Sequence, residues 1–435
     1  MIQGCDCVSL AKQYGTPVYV VDKKRLKKNY FDFYNSFQQR YPCIEIAYSY
    51  KTNPLPGVLK TLHDFGASAE VVSPFELWLA LKLGVPAERI IYNGPGKTEE
   101  SLNVAVSNKI KVINIDDPAE IETINRFAIQ HNHKQQVGVR VVTSVGWKSK
   151  LGISIKGGGA FKAFQNIKRF QNMIPIGLHV HIGTGINNIE TYLQAIKDIL
   201  DLSLLVRKEL DITLKYFDFG GGFGVPTVGQ YSALDSKLLA NGFPIIESQL
   251  PNCPPISKYS QAIIELFSKY YSHELDDPPT IIFEPGRAIT SSAQSLLLKV
   301  LSIKPTQNGV STVIFDGGRN VASPLEWERH EVFHAGKIDA SKDTYYGMFG
   351  PLCTPYDVLY KVKSLPSLQC GDIIAIMDAG AYFVPMQANF SFPRAAAVLL
   401  ENGRHELIRK RECFEDIVAQ DFPGQNWQFE KPVKR

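Results

Sequence analysis

The sequence predicts an α/β protein, a (β/α)8 TIM-like barrel followed by a C-terminal β-domain. Three observations predict it. Eight short β-rich runs alternate with helical stretches through the first two-thirds of the 435 residues. After Arg287 the alternation gives way to strand-like runs with few long helical runs among them. Several early runs end in a lysine, glycines or an acid, where barrel strands carry their chemistry. A doubly wound sheet suits the same alternation, so periodicity alone leaves that choice open.

The strand expectations are 44–50, 67–72, 89–93, 112–115, 136–142, 176–182, 214–219 and 280–284. Between them, helical spacing covers 55–65, 75–83, 99–107, 118–130, 159–171, 189–209 and 257–272. In the last third, 295–303, 311–315, 371–377 and 395–400 read as strands. Residues 15–21 are also strand-like. The expected division is therefore 1–25, a strand region packing with the β-domain; 26–289, the barrel; and 290–435, the β-domain. The segment 224–255 carries Pro226, Pro244, Pro251, Pro254 and Pro255. A loop of that length is either an active-site cover or a peripheral excursion.

Composition narrows the function classes. A hydrophobic share of 44% and a charged share of 21% suit a globular chain with a large core. The net charge of +4 is small, and the densest basic cluster (Lys23, Lys24, Arg25, Lys27, Lys28) reads as a solvated helix start. No nucleic-acid partner is expected. Seven scattered cysteines fit a reducing cytosol, and no Cys/His cluster has metal-ligand spacing. No apolar run reaches membrane-spanning length, so the expectation is a cytoplasmic protein with no membrane partner.

Strand alternation puts Glu45, Ala47, Ser49 and Lys51 on one face, opposite Ile44, Ile46, Tyr48 and Tyr50. A lysine at that end, desolvated over a barrel mouth, can lose its proton and attack an aldehyde. Asp218-Phe219-Gly220-Gly221-Gly222 is a strand end followed by glycines, whose N–H groups can close around a phosphate. In Glu284-Pro285-Gly286-Arg287, Gly286 can add a phosphate contact and Arg287 can pair bidentately with a carboxylate. A salt-bridged barrel rim is the competing reading of that run. His179 and His181 share a strand face; a metal site needs a third ligand, and none is evident. Asn93-Gly94-Pro95-Gly96-Lys97-Thr98 lacks the first glycine of a P-loop, which argues against ATP. Cys353, beside Gly350 and Pro351, is either a proton donor or a buried apolar thiol.

Together and in this order, these motifs resemble the fold-type III pyridoxal-phosphate decarboxylases, most closely the diaminopimelate decarboxylase branch and more distantly ornithine decarboxylase. The resemblance runs from Gly15-Thr16-Pro17-Val18-Tyr19-Val20 to about Pro393. It implies pyridoxal 5'-phosphate as cofactor, an amino-acid-like small-molecule substrate, loss of CO2 from Cα with reprotonation to an amine, and a homodimer with shared active sites. By the same match, Lys51 is the Schiff-base lysine and His181 stacks on the cofactor ring. Thr184, Gly220, Gly221, Gly222, Gly286 and Tyr382 meet the phosphate. Glu284 faces the ring nitrogen, Glu70 sits near the lysine, and Arg287 belongs to the cofactor and substrate contacts. Cys353 is contributed by the partner subunit, and Cys353, Thr354, Asp357 and Tyr382 meet the substrate.

The chain departs from the family where substrate is read. Thr354 stands where diaminopimelate decarboxylases carry Glu, and Ser323 and Trp327 stand where they carry Arg and Tyr. Losing matched charged groups removes recognition strongly. The expected substrate is therefore not diaminopimelate, lysine or ornithine but a larger or differently charged amino acid, of specialised metabolism or siderophore assembly. A racemase or epimerase of the same fold, or a silent paralogue that only binds a partner, are the competing readings.

Overall fold

The structure, a computed structural model, describes residues 1–240, 251–271, 277–305 and 310–421. Eight strands close into a parallel barrel: β2 (Ile44–Ser49), β3 (Ser68–Val71), β4 (Ile90–Tyr92), β5 (Val112–Ile115), β6 (Gln135–Val142), β7 (Met173–His179), β8 (Tyr216–Asp218) and β9 (Thr280–Phe283). They pair in chain order, and β9 returns to β2 with Ile281 opposite Ile44. The first barrel expectation therefore holds, and closure excludes the doubly wound sheet. Largely apolar runs make these strands because most of their positions are covered on both faces; Ile90, Ile91 and Tyr92 are all fully buried.

The strand expected at 176–182 runs instead from Met173 to His179. Val180 N still donates to Asp218 O, but the ladder ends there and His181 lies in the segment beyond. The helix expected at 159–171 stops at Ile167, and that expected at 257–272 spans Ile256–Ser268; position 272 lies outside the described residues. The basic cluster does open a helix, Lys23–Gln38, whose N-cap Asp22 accepts from Arg25 N at 2.8 Å.

The second unit is a sheet built on β10 (Gln294–Lys304), with β11 (Ser311–Phe315), β12 (Val332–His334), β13 (Thr344–Phe349), β14 (Val358–Leu365), β15 (Ile373–Ile376), β16 (Ala396–Glu401) and β17 (Arg404–Arg409). The N-terminal strand β1 (Val18–Asp22) lies inside it, antiparallel to β10 and parallel to β16. Sequence reading did not pick out β12, β13, β14 or β17. Three of them mix buried with half-exposed positions, β14 carries Lys361 and Lys363, and β17 is a charged, largely exposed edge. Of the 224–255 segment, Gly229–Gln230 pairs with Glu328–Arg329 and Ala233–Ala240 is helical; 241–250 lie outside the described residues.

One glycine fixes the packing of the barrel's lower interior. A Cβ on Gly177 would lie 2.4 Å from Tyr216 Cζ, and the same tyrosine donates to Asn114 Oδ1 at 2.8 Å. Gly177→Ala is expected to cost about 1–3 kcal/mol by overpacking. Gly96→Ala, with no atom within 4 Å of the new methyl, should change stability by less than about 0.5 kcal/mol. Urea unfolding of the two variants checks the contrast.

Candidate active site

Strand β2 ends at Ser49, and a short 3-10 turn, Tyr50–Thr52, carries Lys51 over the barrel mouth. Lys51 Nζ donates to Ser49 Oγ at 2.6 Å and to Glu70 Oε2 at 2.9 Å, and Ser49 Oγ donates to the same carboxylate at 2.5 Å. The expected deprotonation by desolvation does not follow. Burial pulls the Lys51 pKa down, but the charges of Glu70 and Glu284 outweigh it and raise the value above that of a free lysine. The site stabilises a cation at this nitrogen.

Glu284 follows β9 and is 2% exposed. Its Oε1 accepts from Asn93 Nδ2 at 2.5 Å, and its Oε2 lies 3.3 Å from His179 Nε2. Asn93 Nδ2 also donates to Glu70 Oε1 at 3.0 Å, so one amide bridges the two carboxylates. Asn93 Oδ1 accepts from Asn114 Nδ2 at 2.8 Å, which carries the chain on to Tyr216. Burial pushes the Asp218 carboxyl well up, and neighbouring Glu284 adds to the rise. Burial acts on Glu284 in the same direction, but His179, Lys51 and the neighbouring carboxyl of Asp218 overcome it and hold the carboxyl well below its ordinary range. The proton therefore sits on Asp218 and the negative charge on Glu284. Burial, with Lys51 second, pushes the His181 imidazole down to about 3, so the ring is neutral at physiological pH.

A third ligand position beside His179 does exist, contrary to the sequence reading. His179, Asp218 and Glu284 present ligand atoms within 4.8 Å of one another, and all three are buried. His179 Nε2 and Asn93 Nδ2 meet Glu284, and Gly220 N donates to Asp218 Oδ1, while His179 Nδ1 and Asp218 Oδ2 have no hydrogen-bond partner among the described residues. His179 lies in the barrel interior, whereas His181 lines the cleft.

That cleft is lined by Lys51, His181, Thr184, Gly222, Glu284, Gly286, Arg287 and Tyr382, eight of the residues singled out from the sequence. Glu70 lies directly behind Lys51. Gly220 and Gly221 do not line it. Their N–H groups go to Asp218 Oδ1 (2.9 Å) and His181 Nδ1 (3.2 Å), so they orient side chains where a phosphate cradle was expected. Gly220 has φ of +66°, and a Cβ there would lie 2.3 Å from Val180 O. Tyr382 holds φ of +68°, unusual for a bulky side chain; Tyr382 N donates to Thr52 O at 2.8 Å, and its ring packs 5.4 Å from Arg287 Cζ.

Arg287 is buried and pairs through both terminal nitrogens with Glu328, itself about 1% exposed. The rim salt bridge is thus the reading the geometry supports, and the carboxylate it grips is internal. Glu328 also accepts from Trp327 Nε1 and meets His330 Nε2 at 3.2 Å. Cys353 and Thr354 lie on a turn and are not among the residues that line this cleft, and Cys353 is exposed. Asp357, expected at the substrate, is buried beneath that turn. Its oxygens accept from Arg319 N (2.7 Å) and Leu352 N (2.8 Å), which fixes the loop rather than a ligand. Lys97, at the end of the run that imitates a P-loop, is buried against Glu120 at 3.0 Å.

Residues 30–291 match the family model of the pyridoxal-dependent decarboxylases, pyridoxal binding domain. The chain belongs to this family. It is 30% identical to the diaminopimelate decarboxylase of Aquifex aeolicus, over 96% of this chain and 94% of that one. The solved structure of diaminopimelate decarboxylase from M. jannaschii in co-complex with L-lysine superposes with a TM-score of 0.86 at 28% identity, covering 97% of this chain and 96% of that one. A lysine/ornithine decarboxylase of Vibrio vulnificus, complexed with putrescine, shares the fold at 23% identity, with a TM-score of 0.73 and coverage of 91% and 97%. This pyridoxal-dependent decarboxylase is a carboxy-lyase that uses pyridoxal 5'-phosphate. Among the described residues no helix is long and apolar enough to cross a membrane.

Asn93, Asp218 and Glu328 were not singled out as site residues from the sequence. Asn93 was visible only inside the failed P-loop pattern, and Asp218 only as the start of a glycine run. Glu328 had no local signal, because its partner lies 41 residues away. Glu76 joins the network from the side: its Oε2 accepts from Val72 N at 2.8 Å, and burial, with Glu70 second, raises its pKa from 4.5 to about 7. An acid whose folded pKa is raised stabilises the fold at low pH and loses that contribution as pH rises toward 7. Wild-type stability relative to Glu76→Gln is therefore expected to fall between pH 4.5 and about 7.5, read from paired thermal melts across that range.

Proposed function

We propose that this decarboxylase holds its cofactor on Lys51 and releases CO2 from Cα of an amino-acid substrate other than diaminopimelate. The observation that carries the first half is the placement of Lys51 Nζ against Glu70, in a cleft that also holds the charged Glu284. The residues fit pyridoxal phosphate. An amine is available for the aldehyde and an anionic carboxylate for a protonated ring nitrogen. A neutral imidazole, His181, can lie against the ring. Thr184, Gly222, Gly286 and Tyr382 supply hydroxyl and backbone donors for the phosphate. Bound there, the cofactor supplies the electron sink for the pair left when the Cα carboxylate departs.

The chain's own residues do the rest. Glu284, kept ionised by His179 and the protonated Asp218, favours a cationic ring nitrogen. Asn93 ties that carboxylate to Glu70, so the lysine and the ring partner keep a fixed separation. Cys353 protonates Cα from the partner subunit of a homodimer. Its exposed turn and its absence from the lining of its own cleft support that arrangement, as does neighbouring Tyr356, 82% exposed. Cytoplasmic location is part of the same proposal.

Substrate choice rests on three positions. Thr354, Ser323 and Trp327 replace the acid, arginine and tyrosine of the diaminopimelate pattern. Trp327 is turned to donate to Glu328, and Ser323 O accepts from Arg319. A conjugated or otherwise enlarged amino acid, from specialised metabolism or siderophore assembly, fits this loss of distal charge readers.

Borohydride reduction of the cofactor-loaded enzyme followed by peptide mapping should place the pyridoxyl label on Lys51, and Lys51→Ala should lose the visible cofactor band. A label elsewhere overturns the assignment. Cys353→Ala is expected to keep the cofactor but lower kcat about 10²-fold or more, as loss of a general acid does. In a CO2-release screen, meso-diaminopimelate should be turned over at least about 10²-fold less efficiently than the preferred substrate.

A further inference from the structure

Arg287 is the residue that the cofactor cleft and a cavity of about 180 Å³ beside it have in common. In the side cavity it is the one ionisable side chain among the described residues. The rest of that wall is glycine, Asn187, Val225, Val228, Gln230 and Pro251. In the cleft the other charges, on Lys51 and Glu284, serve the cofactor. A lone guanidinium at this junction would read a side-chain carboxylate through two parallel N–H groups.

This guanidinium is not alone. Its Nη1 donates to Glu328 Oε2 at 3.0 Å and its Nη2 to Glu328 Oε1, and the acid's side chain is 1% exposed. Two more groups hold the same carboxylate: Trp327 Nε1 donates to Oε1 at 3.1 Å, and His330 Nε2 lies 3.2 Å from Oε2. The other ring nitrogen of His330 is fixed in turn, 2.9 Å from Met377 O. The backbone is pinned as well, because Gln230 pairs with Glu328 in a short antiparallel ladder. Glu328 is thus held in place against the arginine.

That pairing sets what the two cavities accept. A side-chain carboxylate would need the N–H groups that Glu328 already fills, and it would bring a second anion to a buried site. A side-chain ammonium would find the acid already paired. The 350–356 turn, which the proposed dimer brings to the substrate, carries no charged residue. We propose that Glu328 is a positioning residue that sets the charge class of the substrate: by holding Arg287 it restricts the enzyme to amino acids whose side chain ends without charge. This rests on the decarboxylase reading above and deepens it.

The test uses the cofactor-loaded full chain and probes paired by size but not by charge. The pairs are L-glutamate with L-glutamine, L-2-aminoadipate with its δ-amide, and L-lysine with L-norleucine. Affinity is read from perturbation of the visible cofactor band, and kcat/KM from CO2 release. In the wild type the neutral member of each pair should bind about tenfold or more tightly. Glu328→Gln should shift the ratio of L-2-aminoadipate to its amide about tenfold toward the acid, mainly in KM. A role in folding alone would weaken both members together. The gain should vanish in the double variant Glu328→Gln/Arg287→Gln, because the guanidinium is the reader. The wild-type comparison stands even where the variants fold poorly. Charged probes binding as well as their neutral partners, no binding of any neutral probe, or a ratio unmoved in Glu328→Gln would each overturn the assignment. The borohydride label on Lys51 would persist in every one of those cases, so failure of this inference is distinct from failure of the decarboxylase reading.

Discussion

The negative charge on Glu284 is the constraint on which the barrel's centre depends. A carboxylate that is 2% exposed survives only where neighbours compensate it. Three do so: His179 at 3.3 Å, Asn93 at 2.5 Å, and a proton held on Asp218. Each comes from a different barrel strand or its end, so the charge is stable only in the closed barrel. Asn93 extends the same network to Glu70 and thence to Lys51. The lysine's cation and the acid's anion are therefore parts of one hydrogen-bonded unit, with fixed spacing and defined protonation.

The β-domain matters to this unit through one turn. Asp378 and Tyr382 both adopt positive φ, and the turn between them is anchored from the barrel and from the residues that open β10. Asn53 donates to Gly380 O, Gln294 to Ala379 O and Ser291 to Asp378 O. Thr227 donates to Asp378 Oδ1 and joins the start of the proline-rich segment to the same turn. Backbone strain held by so many bonds places Tyr382 over Arg287 and beside Lys51 in the cleft. The insertion of β1 between β10 and β16 ties the chain's beginning into the sheet that supports this turn.

The barrel was legible because its strands are short apolar runs buried on both faces and its helices keep a regular amphipathic spacing. Lys51, Glu284 and Gly286 were legible as site residues because each closes such a run. The second unit was less so: β13 mixes buried and exposed positions, β14 mixes lysines with apolar residues, and β17 is an exposed edge. The three glycines after Asp218 looked alike in sequence, yet only Gly222 lines the cleft, since Gly220 and Gly221 are bonded to Asp218 and His181. Cys353 and Asp357, four residues apart, have opposite surroundings, one exposed and one a buried anchor.

By itself the sequence determined the alternation that makes a barrel, the family it belongs to, and which strand ends carry an amine, an acid and glycines. Those are local properties, written in residue type and period. Tertiary structure alone decided where the charges reside. Whether Lys51 keeps its proton, whether Asp218 or Glu284 is ionised, and whether Arg287 is free or held by Glu328 depend on partners brought from distant parts of the chain into a low-dielectric interior. There a single neighbour a few ångströms away outweighs the intrinsic preference of the side chain.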